Sequence, residues 1–424
     1  MSRHIKLFLF SICGLILSAI LLGSRLTQDN LSAPQLETQP PYRLKRDKAI
    51  KIDLPAGDYA GQAGTDIVFL STVWLNGRLP TEAIAFSIDD QRERWRTELS
   101  APPLQALDAG DAYLIATANQ DGSGHLVSLA REDGRILWDR PLGDSIVALA
   151  RKDSRIWALT AQSIRQVNPD TGEMLADVVV WDKPPTPSDW RVLVAHEEGN
   201  LIHLAASAGK DIYSYVKTDT GWNLRWRFRA ANSVLELQLV KWRTDEAPHL
   251  LALAHSSVYD IQPDGTAAWH LDNHDLNQDA QPVRCDESET RFVFRNVVSG
   301  VYLVDRNGLV RAWELPGGAT RLGPIHLPIP ANPAMGLAVA DLTGDGLDEI
   351  IARSVTRLFV FDCEANLIAS APLNEGSGEK FVSKLRNSPR YRPFVVDGQL
   401  VVAEKGQISY FSLEPNSEFR GDLP

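Results

Sequence analysis

The chain has 424 residues, of which 44% are hydrophobic, and a formal net charge of −11. This length is sufficient for one large domain with an N-terminal extension. The acidic balance argues against a nucleic-acid-binding protein, because such proteins need a basic face to meet the phosphate backbone.

The N-terminal segment is predicted to be a membrane anchor. Residues 7–23 (LFLFSICGLILSAILLG) carry no charge, and their length is near the lower limit of about 17 residues for a membrane-spanning helix. Arg3 and Lys6 precede the segment, so the positive-inside rule keeps the N-terminus in the cytoplasm and places the rest of the chain outside it. We therefore assign residues 1–25 as a cytoplasmic stub and anchor, with a cleaved signal peptide as the alternative.

Residues 26–47 follow as a predicted tether, since they are polar and contain several Pro and Gln residues. The basic run Tyr42–Lys51 (YRLKRDKAIK) lies close to the anchor, and we expect it to face lipid headgroups or to be solvated. Within this region Ala49–Leu54 (AIKIDL) reads as a short strand.

A tight turn followed by a tryptophan recurs along the rest of the chain. Asp, Asn and Gly accept positive φ and reverse the chain, and a strand lies on each side of the turn, so each copy predicts a β-hairpin. The copies read DDQRERW (Asp89–Trp95), EDGRILW (Glu132–Trp138), DTGWNLRW (Asp219–Trp226), PDGTAAW (Pro263–Trp269) and RNGLVRAW (Arg306–Trp313).

Weaker copies bring the number of hairpins to about eight, at a mean spacing of about 46 residues, which matches a four-stranded propeller blade. The sequence therefore predicts an all-β, eight-bladed β-propeller over residues 48–415, with seven blades and an irregular β-sandwich as alternatives, and a tail at 416–424. The last unit offers only three strands, whereas a propeller must close to remove its open edges. We expect Ala49–Leu54 to complete the eighth blade.

The repeat resembles that of the quinoprotein-type (PQQ-like) β-propeller family. That family's blade motif runs from a small residue through an Asp/Asn-Gly turn to a tryptophan that docks between blades, and Ser128, Gly134 and Trp138 match its spacing. The copies ending in Trp226 and Trp313 carry one extra residue after the glycine. The family includes pyrroloquinoline-quinone dehydrogenases and a lipoprotein of the outer-membrane β-barrel assembly machine.

Two cysteines, Cys285 and Cys363, lie outside the apolar N-terminal segment, in consecutive repeats. A disulfide between them is compatible with an oxidising compartment, and two free or buried thiols are the alternative.

One loop, Ala340–Ile350 (ADLTGDGLDEI), departs from the repeat. It resembles the calcium loop of FG-GAP (integrin-α-type) propeller repeats. Asp341, Thr343, Asp345 and Glu349 hold positions 1, 3, 5 and 9, and the Leu347 carbonyl holds position 7. Hard cations with many oxygen ligands prefer such a flexible loop, so we predict a structural Ca²⁺ here, with an empty hairpin as the alternative.

These features favour a non-catalytic, membrane-anchored scaffold whose propeller binds a protein or glycan partner. We expect a single-pass protein of a bacterial inner membrane, with the propeller in the periplasm or at the cell exterior. An enzyme is the alternative. A quinone-dependent dehydrogenase of the resembled family would need an adjacent Cys-Cys pair, which this sequence lacks, and a polysaccharide lyase would need a basic channel. A further hypothesis is a subunit of an envelope assembly machine.

Overall fold

The computed structural model describes residues 40–417, apart from 54–58, 64–65, 71–80, 120–122, 142–145, 161–162, 181–191, 199–200, 220, 244, 274–276, 287–288, 297–299, 317–318, 323–324, 331–333, 355, 374–391 and 405. The anchor predicted at residues 1–25 and most of the tether predicted at residues 26–47 lie outside the described residues. Within the described part, no helix is long and apolar enough to cross a membrane.

The regular structure of the described residues consists of 34 β-strands. The first seventeen are β1 (Tyr42–Lys51), β2 (Tyr59–Ala63), β3 (Asp66–Leu70), β4 (Glu82–Ser87), β5 (Arg92–Glu98), β6 (Pro103–Asp108), β7 (Ala112–Thr117), β8 (His125–Ala130), β9 (Ile136–Pro141), β10 (Ile146–Lys152), β11 (Arg155–Thr160), β12 (Ser163–Val167), β13 (Met174–Val180), β14 (Leu193–Glu198), β15 (Leu201–Ala208), β16 (Asp211–Thr218) and β17 (Gly221–Arg229). The others are β18 (Val234–Val240), β19 (His249–Ala254), β20 (Ser257–Ile261), β21 (Ala267–Asp272), β22 (Asn277–Arg284), β23 (Thr290–Asn296), β24 (Gly300–Asp305), β25 (Gly308–Trp313), β26 (Ala319–Leu322), β27 (Ile325–Pro330), β28 (Gly336–Ala340), β29 (Glu349–Arg353), β30 (Arg357–Phe361), β31 (Leu367–Pro372), β32 (Phe394–Val396), β33 (Gln399–Glu404) and β34 (Gln407–Pro415).

Eight four-stranded sheets form the blades of a propeller. Blades 1 to 6 are β2–β5, β6–β9, β10–β13, β14–β17, β18–β21 and β22–β25, blade 7 is β28–β31, and blade 8 is β32–β34 with β1. The strands of each blade are antiparallel, and the first strand is innermost, because it contacts the first strands of neighbouring blades. The prediction of an all-β, eight-bladed propeller is confirmed, and the seven-bladed alternative is wrong. An extra hairpin, β26–β27, lies between blades 6 and 7 in the sequence.

The N-terminal strand closes the ring, as the sequence predicts, but it lies earlier in the chain than expected. β1 pairs antiparallel with β34 from Tyr42 opposite Pro415 to Lys51 opposite Gln407, with a bulge at Asp47. The strand therefore spans the basic run Tyr42–Lys51 rather than Ala49–Leu54. That run is the outermost strand of blade 8, and its alternating Lys and Arg residues occupy an exposed sheet edge, where charge opposes edge-to-edge aggregation.

The hydrophobic core is divided among the eight seams between neighbouring blades. Each seam contains one cluster of buried apolar side chains from the two facing sheets. At the seam between blades 8 and 1, for example, Tyr410 and Val401 pack with Phe69 and Phe86. Because the middle strands are covered on both faces, they read as continuous apolar runs and not as alternating ones.

Three tryptophans dock on the turn of the blade that follows. The indole nitrogens donate to turn carbonyls, from Trp95 to Arg131 (2.9 Å), from Trp138 to Pro169 (3.1 Å) and from Trp226 to Pro263 (3.0 Å). The indole rings also lie against the turn glycines Gly134, Gly172 and Gly265, whose φ values are +70°, +71° and +90°. A Cβ at Gly134 would lie 2.5 Å from Trp95 Cδ2, so both the conformation and the close approach require glycine.

A β-bulge precedes each docking tryptophan on the outer strand. In blade 2, Ser128 pairs with Trp138 and Leu129 with Ile136, which leaves Leu137 as the bulged residue. Blades 1 and 4 repeat this shift. Because a bulge bends the strand and changes the direction of the next side chain, it explains how an edge residue reaches the neighbouring blade.

Blade 6 departs from this arrangement. The bulge there falls at Val310, so Arg311 occupies the position of the docking tryptophans, and its guanidinium donates to the Glu364 carbonyl in the turn of blade 7. Trp313 lies two residues further on and is fully buried in the cluster between blades 6 and 7. The copy ending in Trp226 has the same extra residue and still docks its tryptophan, so the position of the bulge, and not the spacing, decides which side chain docks.

Candidate functional site

The predicted calcium loop connects β28 to β29 in blade 7, and its own backbone binds its carboxylates. Asp341 Oδ1 accepts a hydrogen bond from Gly344 N (2.7 Å), and its Oδ2 accepts one from Gly346 N (3.0 Å). Asp345 Oδ1 accepts one from Leu347 N (2.8 Å) at the exposed tip. These contacts stabilise a compact turn, because the carboxylates take the place of water as acceptors for the N–H groups of the loop.

Glu349 is the buried end of this loop. Its Oε2 accepts hydrogen bonds from Leu342 N (2.6 Å) and Thr343 N (3.2 Å), and its Oε1 accepts one from Thr343 Oγ1 (2.9 Å). Burial raises the pKa of Glu349, against these hydrogen bonds, which lower it. Glu349 therefore ties the two ends of the loop together.

The structure brings Asp341, Thr343 and Glu349 into one hydrogen-bonded loop and leaves Asp345 and Leu347 at its exposed tip. Ionised carboxylates have about four lone-pair directions, so each Asp retains capacity for a cation. In the part of the chain that the structure describes, no three His, Cys, Asp or Glu side chains converge as a metal-binding group. Calcium binding at this loop stays a prediction.

A disulfide joins blade 6 to blade 7 beside this loop. Cys285 and Cys363 are bonded, with their Cα atoms 5.6 Å apart, so the alternative of two free thiols is wrong for this structure. Asp348, at the end of the loop, donates from its backbone N to the Arg284 carbonyl (2.9 Å). Its Oδ2 accepts from Arg284 N (2.7 Å). The loop is thus attached to the inner strand of the preceding blade next to the disulfide.

A second polar site, which we call the inner-strand cluster, consists of Glu236, Asp279, Arg295 and Arg392. Asp279 Oδ1 accepts from Arg392 Nε at 2.8 Å and lies 2.6 Å from Arg392 Nη2. Its Oδ2 accepts from Arg295 Nε. Burial alone would raise the pKa of Asp279, but the two guanidinium groups outweigh it and hold the pKa below its ordinary value. Asp279 also has a φ of +60°, which is uncommon for a residue other than glycine.

Glu236 links blade 5 to blade 6 within this cluster. Its Oε2 accepts from Asp279 N (2.6 Å), its Oε1 accepts from Ala280 N (3.2 Å), and Gln238 Nε2 also donates to it (2.9 Å). Burial, together with the nearby Asp279 carboxylate, raises the pKa of Glu236 against the guanidinium of Arg392. A carboxylate in this position is costly unless backbone N–H groups bind it, as they do here.

Similar polar bridges cross other seams between inner strands. Gln105 in blade 2 donates from Nε2 to the Leu149 carbonyl (3.2 Å) and accepts from Leu149 N (2.8 Å) in blade 3. Gln281 in blade 6 donates from Nε2 to the Leu337 carbonyl (2.7 Å) in blade 7. These side chains satisfy backbone groups at inner edges that sheet pairing leaves open.

The inner-strand cluster was not predicted from the sequence. Its four members come from three blades, and Glu236 is embedded in the apolar run VLELQLV (Val234–Val240). A charged residue within an apolar strand is a signal for a buried, paired group. It could have identified Glu236, although not its partners.

Comparison with known proteins agrees with this architecture. Residues 63–259 match the family model of outer membrane protein assembly factor BamB. No curated protein matches the chain. Among solved structures, the computationally designed Ika8 protein is 12% identical with a TM-score of 0.55, covering 85% of this chain and 97% of its own.

Two further solved structures are similar to the chain. The C-terminal WD40 domain of Sif2 is 11% identical with a TM-score of 0.57, covering 87% of this chain and 98% of its own. BamB from Moraxella catarrhalis is 12% identical with a TM-score of 0.41, covering 87% of this chain and 99% of its own. The Sif2 and Ika8 structures support the propeller fold alone. The resemblance to the PQQ-like propeller family is confirmed by the match to the BamB family model over residues 63–259.

Proposed function

We propose that the protein is a non-catalytic scaffold, anchored by its N-terminal segment in a bacterial inner membrane, whose propeller binds a protein partner during envelope assembly. The observation that carries this proposal is the match of residues 63–259 to the BamB family model. Fold alone would not support it, since propellers serve many unrelated functions.

The disulfide supports a location outside the cytoplasm. Disulfides such as Cys285–Cys363 persist in oxidising compartments and are rare in the reducing cytoplasm. The test is maleimide–polyethylene glycol labelling of acid-quenched cells, with and without prior reduction. We expect Cys285 and Cys363 to react only after reduction; labelling of both without reductant would place them in the cytoplasm.

The charges of the inner-strand cluster support a binding role over a catalytic one. A lyase acting on an acidic polysaccharide needs a basic site, whereas two guanidinium groups here face two carboxylates. The cysteines of the described propeller are not adjacent, because the disulfide joins positions 78 residues apart. A quinone-dependent dehydrogenase of the resembled family would need an adjacent pair.

Site-specific photocrosslinking in intact cells tests whether the propeller binds an envelope protein. Exposed leucines on outer strands, Leu137 (47%), Leu175 (53%) and Leu224 (55%), are suitable positions for a photoreactive residue. The fully buried Val360 serves as the control position. We expect at least one exposed position to yield a discrete adduct with an envelope protein, absent at Val360. If none does, and deletion of the gene leaves outer-membrane protein levels unchanged, the proposal is wrong.

A further inference from the structure

A small cavity of about 50 Å³ lies at the seam between blades 4 and 5. Its wall includes His196, His203 and Arg225 of blade 4 and His249 of blade 5, together with the docking tryptophan Trp226. The volume exceeds the roughly 10–15 Å³ that one water molecule needs. The cavity therefore has room for a compact group of a few heavy atoms.

In blade 1 an arginine at the bulge is paired with a buried carboxylate. Arg94 is the bulged residue on the outer strand, and its Nη1 lies 3.0 Å from Oδ2 of Asp66, whose side chain is only 3% exposed. Asp66 lies on the second strand of the blade, opposite Ser87 of the third. The fold of blade 1 thus supplies an internal anion for this arginine.

Blade 4 has an imidazole in place of that carboxylate. Its bulged residue is Arg225, and the register, counted from the residue opposite the docking tryptophan, gives His203 the position that Asp66 holds in blade 1. Arg225 Nη1 lies 3.5 Å from His203 Nδ1, at the outer limit of a hydrogen bond. Asp264 acts on Arg225 at longer range and already accepts hydrogen bonds from Thr266. Among the described residues, no carboxylate forms an ion pair with Arg225 at the cavity.

His249 supplies an acceptor on the blade 5 side of the cavity. Its Nδ1 lies 2.9 and 3.1 Å from the two carboxylate oxygens of Asp260, which is fully buried and also accepts from Trp242 Nε1 (3.1 Å). An ionised carboxylate only accepts hydrogen bonds, so it keeps the proton of His249 on Nδ1. The other ring nitrogen, Nε2, is then an acceptor, and no group in the described part of the chain binds it.

We propose that this cavity binds inorganic phosphate, with Arg225 as the donor and His249 Nε2 as the acceptor. Hydrogen phosphate suits this pair, because its anionic oxygens accept from a guanidinium while its O–H group donates to a neutral imidazole. Sulfate has the same shape but carries no O–H group at neutral pH, and a phosphate monoester loses its own above pH ~6. The proposal does not depend on the scaffold function above.

Isothermal titration of the full chain, purified in detergent and in phosphate-free buffer, tests this proposal. The probes are inorganic phosphate, sulfate and methyl phosphate at mildly alkaline pH, where only inorganic phosphate keeps an O–H group. We expect phosphate to bind with a dissociation constant below about 1 mM, and the other two anions to bind at least about 10-fold more weakly.

Two variants of blade 4 locate the site. Arg225→Gln should weaken phosphate binding by about 10-fold or more, because a charge-assisted hydrogen bond is lost. His203→Asp should weaken it by a similar factor while Arg225 stays in place, because the new carboxylate recreates the ion pair of the blade 1 bulge and competes with phosphate. Arg227→Gln is the control, since Arg227 lies two residues along the same strand but pairs with Asp211 (3.0 Å).

A variant of blade 5 tests the acceptor. His249→Asn should keep the hydrogen bond to Asp260, because an asparagine amide reaches about as far as the imidazole Nδ1, but it removes Nε2. We expect the preference for phosphate over sulfate to fall by at least about 5-fold, because sulfate has no O–H group to donate to Nε2. His125→Asn is the matched control, because His125 Nδ1 binds Asp139 at 2.7 Å in blade 2, away from the cavity.

Thermal melts show whether each variant is folded before titration. The proposal is overturned if phosphate does not bind the wild type, or if sulfate or methyl phosphate binds as tightly as phosphate. It is also overturned if folded Arg225→Gln or His203→Asp keeps the wild-type affinity, or if folded His249→Asn keeps the wild-type preference for phosphate over sulfate.

Discussion

One arginine of the N-terminal strand contacts both blade 7 and blade 8 where the ring closes. Arg46 Nη2 donates to Glu404 Oε1 (2.8 Å) in blade 8 and to the Pro372 carbonyl (3.1 Å) at the end of blade 7. Its guanidinium also lies 5.2 Å from the centre of the Phe411 ring. The side chain of Glu404 is fully buried, whereas that of Arg46 is 31% exposed. Arg46→Ala would thus remove one partner of a buried carboxylate.

The expected cost follows from that burial. Removing one partner of a buried ion pair costs about 3–5 kcal/mol. Gln407 still donates to Glu404 Oε2 (3.2 Å), so we take the lower value, about 3 kcal/mol. The unfolding entropy of a ring of about 370 residues is about 0.8 kcal/mol/K, so the melting temperature should fall by about 4 °C.

Differential scanning calorimetry of the full chain measures this change, and Arg43→Ala is its control. Arg43 lies on the same strand and pairs with Glu414 (3.2 Å), but its side chain is 64% exposed. Such a surface pair contributes about 0–1 kcal/mol, which corresponds to about 1 °C or less. Equal shifts in the two variants, or no shift in Arg46→Ala, would refute the reasoning.

Four further predictions concern the turns and the two polar sites. Gly134→Ala should destabilise the protein more than Gly110→Ala by about 1–3 kcal/mol in urea denaturation, because both have positive φ but only the Cβ at 134 meets an indole ring. Burial raises the pKa of Glu349, so the wild type should gain stability relative to Glu349→Gln as pH falls from neutral towards ~4.3; an unchanged difference would contradict this. Two guanidinium groups outweigh the effect of burial and lower the pKa of Asp279. The loss of folding stability caused by Asp279→Asn should therefore be largest at neutral pH and become smaller below pH ~3.9. Calorimetric titration with Ca²⁺ should give heat with the wild type and less with Asp345→Ala; no heat with the wild type means that the loop is an empty hairpin.

The blade repeat could be predicted because its chemistry is local. A glycine with positive φ and a tryptophan a few residues later fall within one hairpin, as at Gly134 and Trp138. The spacing between successive hairpins was therefore sufficient to predict the number of blades. The closing strand was also predictable, since a last blade with three strands needs a fourth. Its start at Tyr42 could not be predicted. The Lys and Arg residues of this strand lie at a sheet edge that faces solvent, so the sequence lacks the apolar pattern expected of a strand.

The inner-strand cluster could not be predicted as a whole, because it joins residues that are far apart in the sequence. Asp279 and Arg392 are 113 residues apart and on different blades. The docking role of Arg311 was hidden for a similar reason: the position of a bulge decides which side chain reaches the next blade, and a bulge has no distinct sequence pattern here. The side chains of the predicted calcium loop lie within one short segment, so their pattern could be recognised in the sequence. Their hydrogen bonds to the loop backbone could not, because those contacts depend on how the loop folds.

The pairing of β1 with β34 has a consequence for synthesis. Arg43 and Glu414 on these two strands are 371 positions apart. The first blade strand to be synthesised therefore cannot pair until the last one has been made. Blades 1 to 7 can form in succession as the chain emerges, but the ring stays open until translation is nearly finished. The open ring would present unpaired strand edges throughout that interval, when a chaperone would have the greatest effect.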